Sequence, residues 1–150
     1  MKIIYLIASL GLAFLCQTTI HAQALYDVNT IQKIEVSLSQ PDWDYQMDTA
    51  KHGAEGYLMA DSIKINGVVY DSVGIKYKGN SSFDSTQIKN PLHIEFNAFK
   101  SQKHQGFTDI KLSNGYGDPS LLREVLAYKI LGNYMHCSQS NFAQVYINGQ

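Results

Sequence analysis

Residues 57–78 read YLMADSIKINGVVYDSVGIKYK, and this stretch decides the fold class. Two segments rich in β-branched and aromatic residues, Tyr57 to Ile65 and Val68 to Lys78, flank the pair Asn66-Gly67. A two-residue hairpin turn needs positive φ at both central residues, and Asn-Gly supplies it at little steric cost. The stretch therefore predicts a β-hairpin. In its second arm Val73, Ile75 and Tyr77 share one face, which sets Lys76 and Lys78 together on the other. The arm ends at Gly79.

Working outward, Ile34, Val36 and Leu38 alternate with polar residues, the period of a half-buried strand. A helix is expected next, with Pro41 in its first turn, Trp43, Met47 and Ala50 on one face and Gly53 as its stop. Downstream, Leu92, Ile94 and Phe96 alternate with His93 and Glu95, and Phe107 to Leu112 forms a further strand, so a second antiparallel pair is expected. Asp118-Pro119 then carries the signature of a helix start, an N-cap acceptor followed by Pro at the first helical position. Its body should run to about Met135, burying Leu122, Val125, Leu126 and Ile130. Phe142 to Ile147 reads as a last strand, and the Asn148-Gly149 behind it announces another hairpin turn. The fold class is α+β, an antiparallel sheet with two helices, and no repeat or linker divides it. Residues 25–150 are expected to be an incomplete domain whose remainder begins with a strand pairing with Phe142–Ile147.

The N-terminus carries Lys2, an apolar run from Ile3 to Cys16, and the small-residue site Ala22-Gln23-Ala24. That is the layout of a secretory signal peptide over residues 1–24, which directs the product to the periplasm, the cell surface or the medium. The run is shorter than the roughly 18–20 apolar residues a membrane helix needs, so no stable membrane insertion is expected. Acylation at Cys16 is the alternative, but Leu15 is bulky where a lipoprotein signal wants a small residue. With 12 Lys and Arg against 13 Asp and Glu, and no basic block, the charge offers no footprint for nucleic acid. After processing Cys137 is the sole cysteine, read as a small buried residue at a helix end rather than a reactive thiol. The five histidines are scattered, and H-E-x-x-H, Cys/His clusters and G-x-S-x-G are absent, so zinc and hydrolase chemistry find no support.

The densest polar constellation is Lys76-Tyr77-Lys78-Gly79-Asn80-Ser81-Ser82. Cations at a strand end beside backbone N–H groups and hydroxyls make an anion site, with phosphate the commonest occupant. The competing reading is a solvated polar turn. Asn80-Ser81-Ser82 is also a glycosylation sequon. Lys89 lies near the far end of the same loop and could add a cation, or simply be a solvated loop lysine. Arg123-Glu124 falls early in the second helix, where a carboxylate aimed at the sheet could hold a strand lysine. Asp118 is most simply the N-cap.

Four blocks together resemble the spore coat protein H (CotH) kinase family: Gly74 to Ser82, Lys89 to Phe96, Asp118 to Glu124, and Val145 to Gly149. They occur in that family's order and cover roughly Val73 to Gln150. The resemblance implies an exported atypical protein kinase that uses ATP with Mg or Mn to phosphorylate Ser or Thr of a protein substrate. It matches Lys78, Gly79, Asn80, Ser81, Ser82 and Lys89 to positions connected with nucleotide phosphates, and Arg123 with Glu124 to the helix motif. A G-x-G-x-x-G loop is absent, so the likeness to ordinary kinases is loose. By that analogy the chain is the N-terminal lobe of a kinase-like fold, truncated, with the catalytic and metal-binding aspartates beyond Gln150. No catalytic or metal residue is assigned within the chain. The alternative is a non-catalytic surface, adhesion or coat protein of the same family.

Overall fold

The computed structural model describes residues 24–53 and 56–150. Apart from Ala24, the expected signal peptide lies outside the described residues. In chain order the elements are β1 (Gln32–Ser37), α1 (Trp43–His52), β2 (Leu58–Ile65), β3 (Val68–Tyr77), β4 (Leu92–Glu95), β5 (Asp109–Leu112), α2 (Arg123–Leu131) and β6 (Ala143–Ile147). All six strands join one sheet in the order β5-β4-β3-β2-β1-β6.

The central hairpin forms as its chemistry requires. Asn66 and Gly67 adopt φ of 48° and 87° between β2 and β3, which pair antiparallel from Ile65↔Val68 to Leu58↔Ile75. Both strands shift their inward alternation by one residue near Asp61 and Ser72: Ala60 then Ile63 and Ile65 are buried on β2, and Val73, Ile75 and Tyr77 on β3 after half-buried Tyr70. Ser72 takes φ of 52° at this point. The local change of hand keeps one face apolar while the sheet curls.

The antiparallel expectation needs one correction, because β6 runs parallel to β1, from Gln32↔Ala143 to Val36↔Ile147. A long connection containing α2 carries the chain from one edge of the sheet to the other, and parallel pairing needs such a crossover. At the end of this pair the Asn148 side chain imitates a strand, accepting from the Leu38 N–H at 2.8 Å and donating to the Leu38 carbonyl at 3.0 Å. The expected turn is present behind it. Asn148 and Gly149 have φ of 50° and 83°, and Ile147 and Gln150 exchange both backbone hydrogen bonds.

One contiguous core fills the concave face, with Ile34, Val36, Ile63, Ile75, Ile94 and Phe96 among its members. α1 covers it through Met47, which is fully buried, and Trp43. Pro41 stands one residue before the N-cap Asp42 rather than inside the first turn, and Gly53 ends the helix as expected. The Tyr77 hydroxyl donates to Asp44 of α1 and so fastens the helix to the end of β3.

The second helix departs most from expectation. It starts at Arg123 and ends at Leu131, because residues 118–122 form turns in which Leu121 sits at φ of 59°. Asp118 is therefore not the N-cap residue, yet its carboxylate accepts from the Arg123 N–H at 2.9 Å and caps the helix from five residues upstream. Of the expected stripe only Val125 is buried, while Leu122, Leu126 and Ile130 are exposed. Among the described residues no helix is long and apolar enough to cross a membrane.

Candidate functional site

The loop from Gly79 to Asn90 is shaped by its own side chains. Buried Asn90 accepts from the Asp84 N–H at 2.9 Å and donates to the carbonyls of Asp84 and Gln87. The Asp84 carboxylate in turn accepts from the N–H and hydroxyl of Thr86 and from Gln87, which holds its pKa below the usual carboxylate range. Asn114, just past β5, donates to the carbonyls of Ser82 at 3.0 Å and Lys89 at 3.2 Å and ties the loop's two arms together. Gly79 opens the loop at φ of 83°, where a side chain would be strained and its Cβ would stand 2.4 Å from the Ser82 Oγ. The backbone turn beside Lys78 is thus fixed rather than floppy.

Beside this loop the curl of the sheet opens a cleft of about 700 Å³. β5 forms one wall through Asp109, Ile110, Lys111 and Leu112, and the starts of β1 and β6 form the other through Gln32, Ile34 and Ala143. Lys78 enters from the end of β3, and Glu124 and Tyr128 face in from α2. Tyr26 and Phe107 also line it, their rings edge to face with centroids 5.2 Å apart and planes at 81°. Burial, with the nearby Asp109 charge, raises the Tyr26 phenol pKa. The Asn141 side chain holds this wall in place by donating within 3.0 Å to the carbonyls of Leu25, Asp27 and Thr30. A volume in this range with mixed apolar and charged lining suits a small-molecule ligand.

The candidate residues divide. Lys78 and Glu124, taken from two motifs more than forty positions apart in the chain, line the same cleft. Gly79 follows directly on Lys78; Asn80 and Ser81 are exposed and Ser82 half-buried in the adjoining loop. Lys89 is exposed and does not line the cleft. Arg123 turns away from it, donating to the Gly117 carbonyl at 2.7 Å with its Nε 3.7 Å from Asp118. Lys76, expected beside Lys78, is set apart on the sheet's outer face, its ammonium 4.5 Å from the centroid of the Tyr57 ring. There Tyr57 donates to Glu95 at 2.5 Å, and His93 bridges to Asp109 at 2.9 Å. Burial and the Glu95 carboxylate raise the Tyr57 pKa well above the phenol range.

Four cleft residues belong to no motif legible in the sequence: Tyr26, Phe107, Asp109 and Lys111. Lys111 carried a legible signal, because it is polar within an alternating strand, but its partners across the fold were not. Tyr26 belongs to a segment without periodicity. Cys137 is half-buried rather than buried, lies in the cleft wall, and directs its thiol to the Tyr128 carbonyl at 3.4 Å. Among the described residues no three His, Cys, Asp or Glu side chains converge as a metal site would require.

Two comparisons bear on this geometry. Residues 75–150 match the family model described as CotH kinase protein, a span that contains Lys78, the Gly79–Asn90 loop, β5 and Glu124. No curated protein matches the chain.

Proposed function

The chain belongs to the CotH kinase protein family, and on that premise we propose that it is the nucleotide-facing part of an exported protein kinase. The enzyme transfers the γ-phosphoryl group of ATP to Ser or Thr hydroxyls of a protein substrate. The observation that carries this reading is the meeting of Lys78 and Glu124 in one cleft. Protein kinases hold the ATP phosphates with a strand lysine that a helix glutamate orients, and here a lysine at the end of β3 and a glutamate in the first turn of α2 both line one cleft. By this reading the sheet with α1 and α2 corresponds to a kinase N-terminal lobe.

A nucleoside triphosphate fits the donor set. Lys78 offers a cation, while the Lys111 ammonium stands 3.7 Å from the Asp109 carboxylate, and the aromatic and aliphatic wall offers an apolar surface. The fixed turn at Gly79 holds the end of β3, and with it Lys78, in place at the cleft. Kinase chemistry also uses a divalent ion, which when bound would neutralise phosphate charge. The described residues alone do not form a site for it. What this chain contributes is binding: Lys78 offsets phosphate charge, and Glu124, on the lining of the same cleft, is the carboxylate available to orient it. The catalytic carboxylates and the protein substrate's docking surface are assigned to no residue of the chain.

The test is incorporation of γ-phosphate into a mixture of Ser/Thr-containing proteins by the protein expressed from its complete coding sequence, with Mg²⁺ or Mn²⁺. Transfer should occur in the wild type and fall at least tenfold in Lys78→Ala. Nucleotide binding without transfer would favour the non-catalytic surface-protein alternative, and absence of both would overturn the proposal.

A further inference from the structure

We propose that His104 is an acid-sensitive latch: its neutral ring pins the tight turn His104-Gln105-Gly106-Phe107 into the core, and protonation releases that turn and with it the Tyr26–Phe107 wall of the cleft. The turn is a lever with two ends. His104 and Phe107 exchange both backbone hydrogen bonds at 2.9 Å, and Gln105 and Gly106 between them take φ of 49° and 91°. A two-residue reversal of this kind is rigid, so its ends move together. At the inner end His104 is 2% exposed, its ring edge to face with Tyr70 at 5.5 Å between centroids and tilted against Phe96 at 5.9 Å. At the outer end Phe107 lines the cleft against Tyr26, and the Gln105 side chain accepts from the Leu25 N–H at 3.0 Å.

The chemistry of the ring makes the inner end sensitive to protons. Nδ1 shares a hydrogen bond of 2.9 Å with the Tyr70 hydroxyl, and Nε2 is buried without a partner. A neutral imidazole leaves one site unbonded there, whereas an imidazolium would bury a positive charge together with an unpaired N–H. Burial accordingly lowers the His104 pKa. The charges on the surrounding elements are engaged elsewhere. Asp71 of β3 pairs with Lys100 at 2.5 Å where both are exposed, Glu95 of β4 accepts from Tyr57, and Asp109 of β5 bridges to His93. Lys103 is exposed, and the Tyr26 ring meets Phe107. Opening the turn gives the imidazole water, so protons bind the open form first and acid shifts the balance towards it. The preceding part of the loop is tied separately, Gln102 donating to the Asp71 carbonyl at 2.6 Å, which confines the release to the turn.

The test is hydrogen–deuterium exchange at pH 7.5 and 5.0 on the protein expressed from its complete coding sequence, with rates corrected for the chemical dependence of exchange on pH. An open-form ring with the ordinary pKa of 6.5 favours opening by at most about 30-fold over this interval. A peptide spanning His104 and Phe107 should lose protection towards that limit, while peptides from β2 and β3 keep theirs. His104→Phe keeps the aromatic volume and cannot titrate, so it should abolish the difference, with thermal melts verifying its fold. In the wild type the His104 Cε1 proton resonance should titrate with a midpoint below pH 6.5, and this readout stands even if the variant does not fold. Equal protection at both pH values, or a loss that survives in His104→Phe, overturns the latch. So does a loss of the same size across β2 and β3, which would make His104 a contributor to global stability alone, or a resonance midpoint at or above pH 6.5.

Discussion

Gly79→Ala is the most informative single substitution, because the structure separates its effect into two parts. At φ of 83° an L-residue carries a backbone penalty of about 1–2 kcal/mol. The new Cβ would also meet the Ser82 Oγ at 2.4 Å and the Pro91 Cγ at 3.3 Å. Ser82 can relieve the closer contact only by leaving its rotamer, which costs about 0.5–1.5 kcal/mol. The expected destabilisation is thus about 1.5–3.5 kcal/mol. Urea unfolding followed by Trp43 fluorescence measures it, since Trp43 is the sole tryptophan and packs against the core. In a Ser82→Ala background, itself expected to change stability by less than about 0.5 kcal/mol, only the backbone part and the Pro91 contact should remain. A loss below about 0.5 kcal/mol for Gly79→Ala would refute the fixed turn. An identical loss in both backgrounds would refute the role of Ser82.

Three further outcomes are expected. Tyr77→Phe strips Asp44 of its phenolic donor and unfastens α1 from β3, so urea unfolding should show a loss of about 1.5–3 kcal/mol, the range for a hydrogen bond to a charged group. Met47→Ala empties the fully buried centre of α1 and should cost about 2–5 kcal/mol in the same assay. His104 is 2% exposed, shares one hydrogen bond with the Tyr70 hydroxyl through Nδ1 and leaves its Nε2 without a partner, and burial lowers its pKa from the ordinary 6.5. Protons then bind the unfolded chain more readily. Stability from this group is intact above about pH 6.5 and falls as the pH drops through that value, with a slope of at most about 1.4 kcal/mol per unit. His104→Phe should flatten the pH dependence of the urea midpoint between pH 7 and 5.

The hairpin at Asn66-Gly67 was legible because every signal that makes it is local: alternation, β-branched residues and a turn pair that tolerates positive φ. The same holds for β4, β5 and the turn at Asn148. What escaped was set by contacts distant in sequence. Nothing near Ala143 indicates that its partner is Gln32, or that the pairing is parallel. At Asp118-Pro119 the local signal was real but misplaced the helix start, since the Asp118 carboxylate reaches forward to Arg123 across an intervening left-handed residue. The period of α2 predicts a core-facing stripe, yet Leu126 and Ile130 stay exposed because the sheet's concave face is already filled by α1 and its own strands. The site divides on the same line. Motif spacing led to Lys78 and Glu124, whereas Lys111 and the Tyr26–Phe107 pair join them only through the curl of the sheet.

The central claim is that Lys78 is the phosphate-facing cation of the cleft, and calorimetric titration of ATP into Lys78→Ala, Lys76→Ala and Lys89→Ala tests it most directly. All three substitutions remove the same charge, but only Lys78 lines the cleft. Losing a charge-assisted contact should weaken binding by about 1.5–3 kcal/mol, or roughly 10- to 150-fold, in Lys78→Ala, and less than about threefold in the other two, whose ammonium groups are screened by solvent or seated on Tyr57. Equal small losses in all three variants, or the largest loss in Lys89→Ala, would contradict the account.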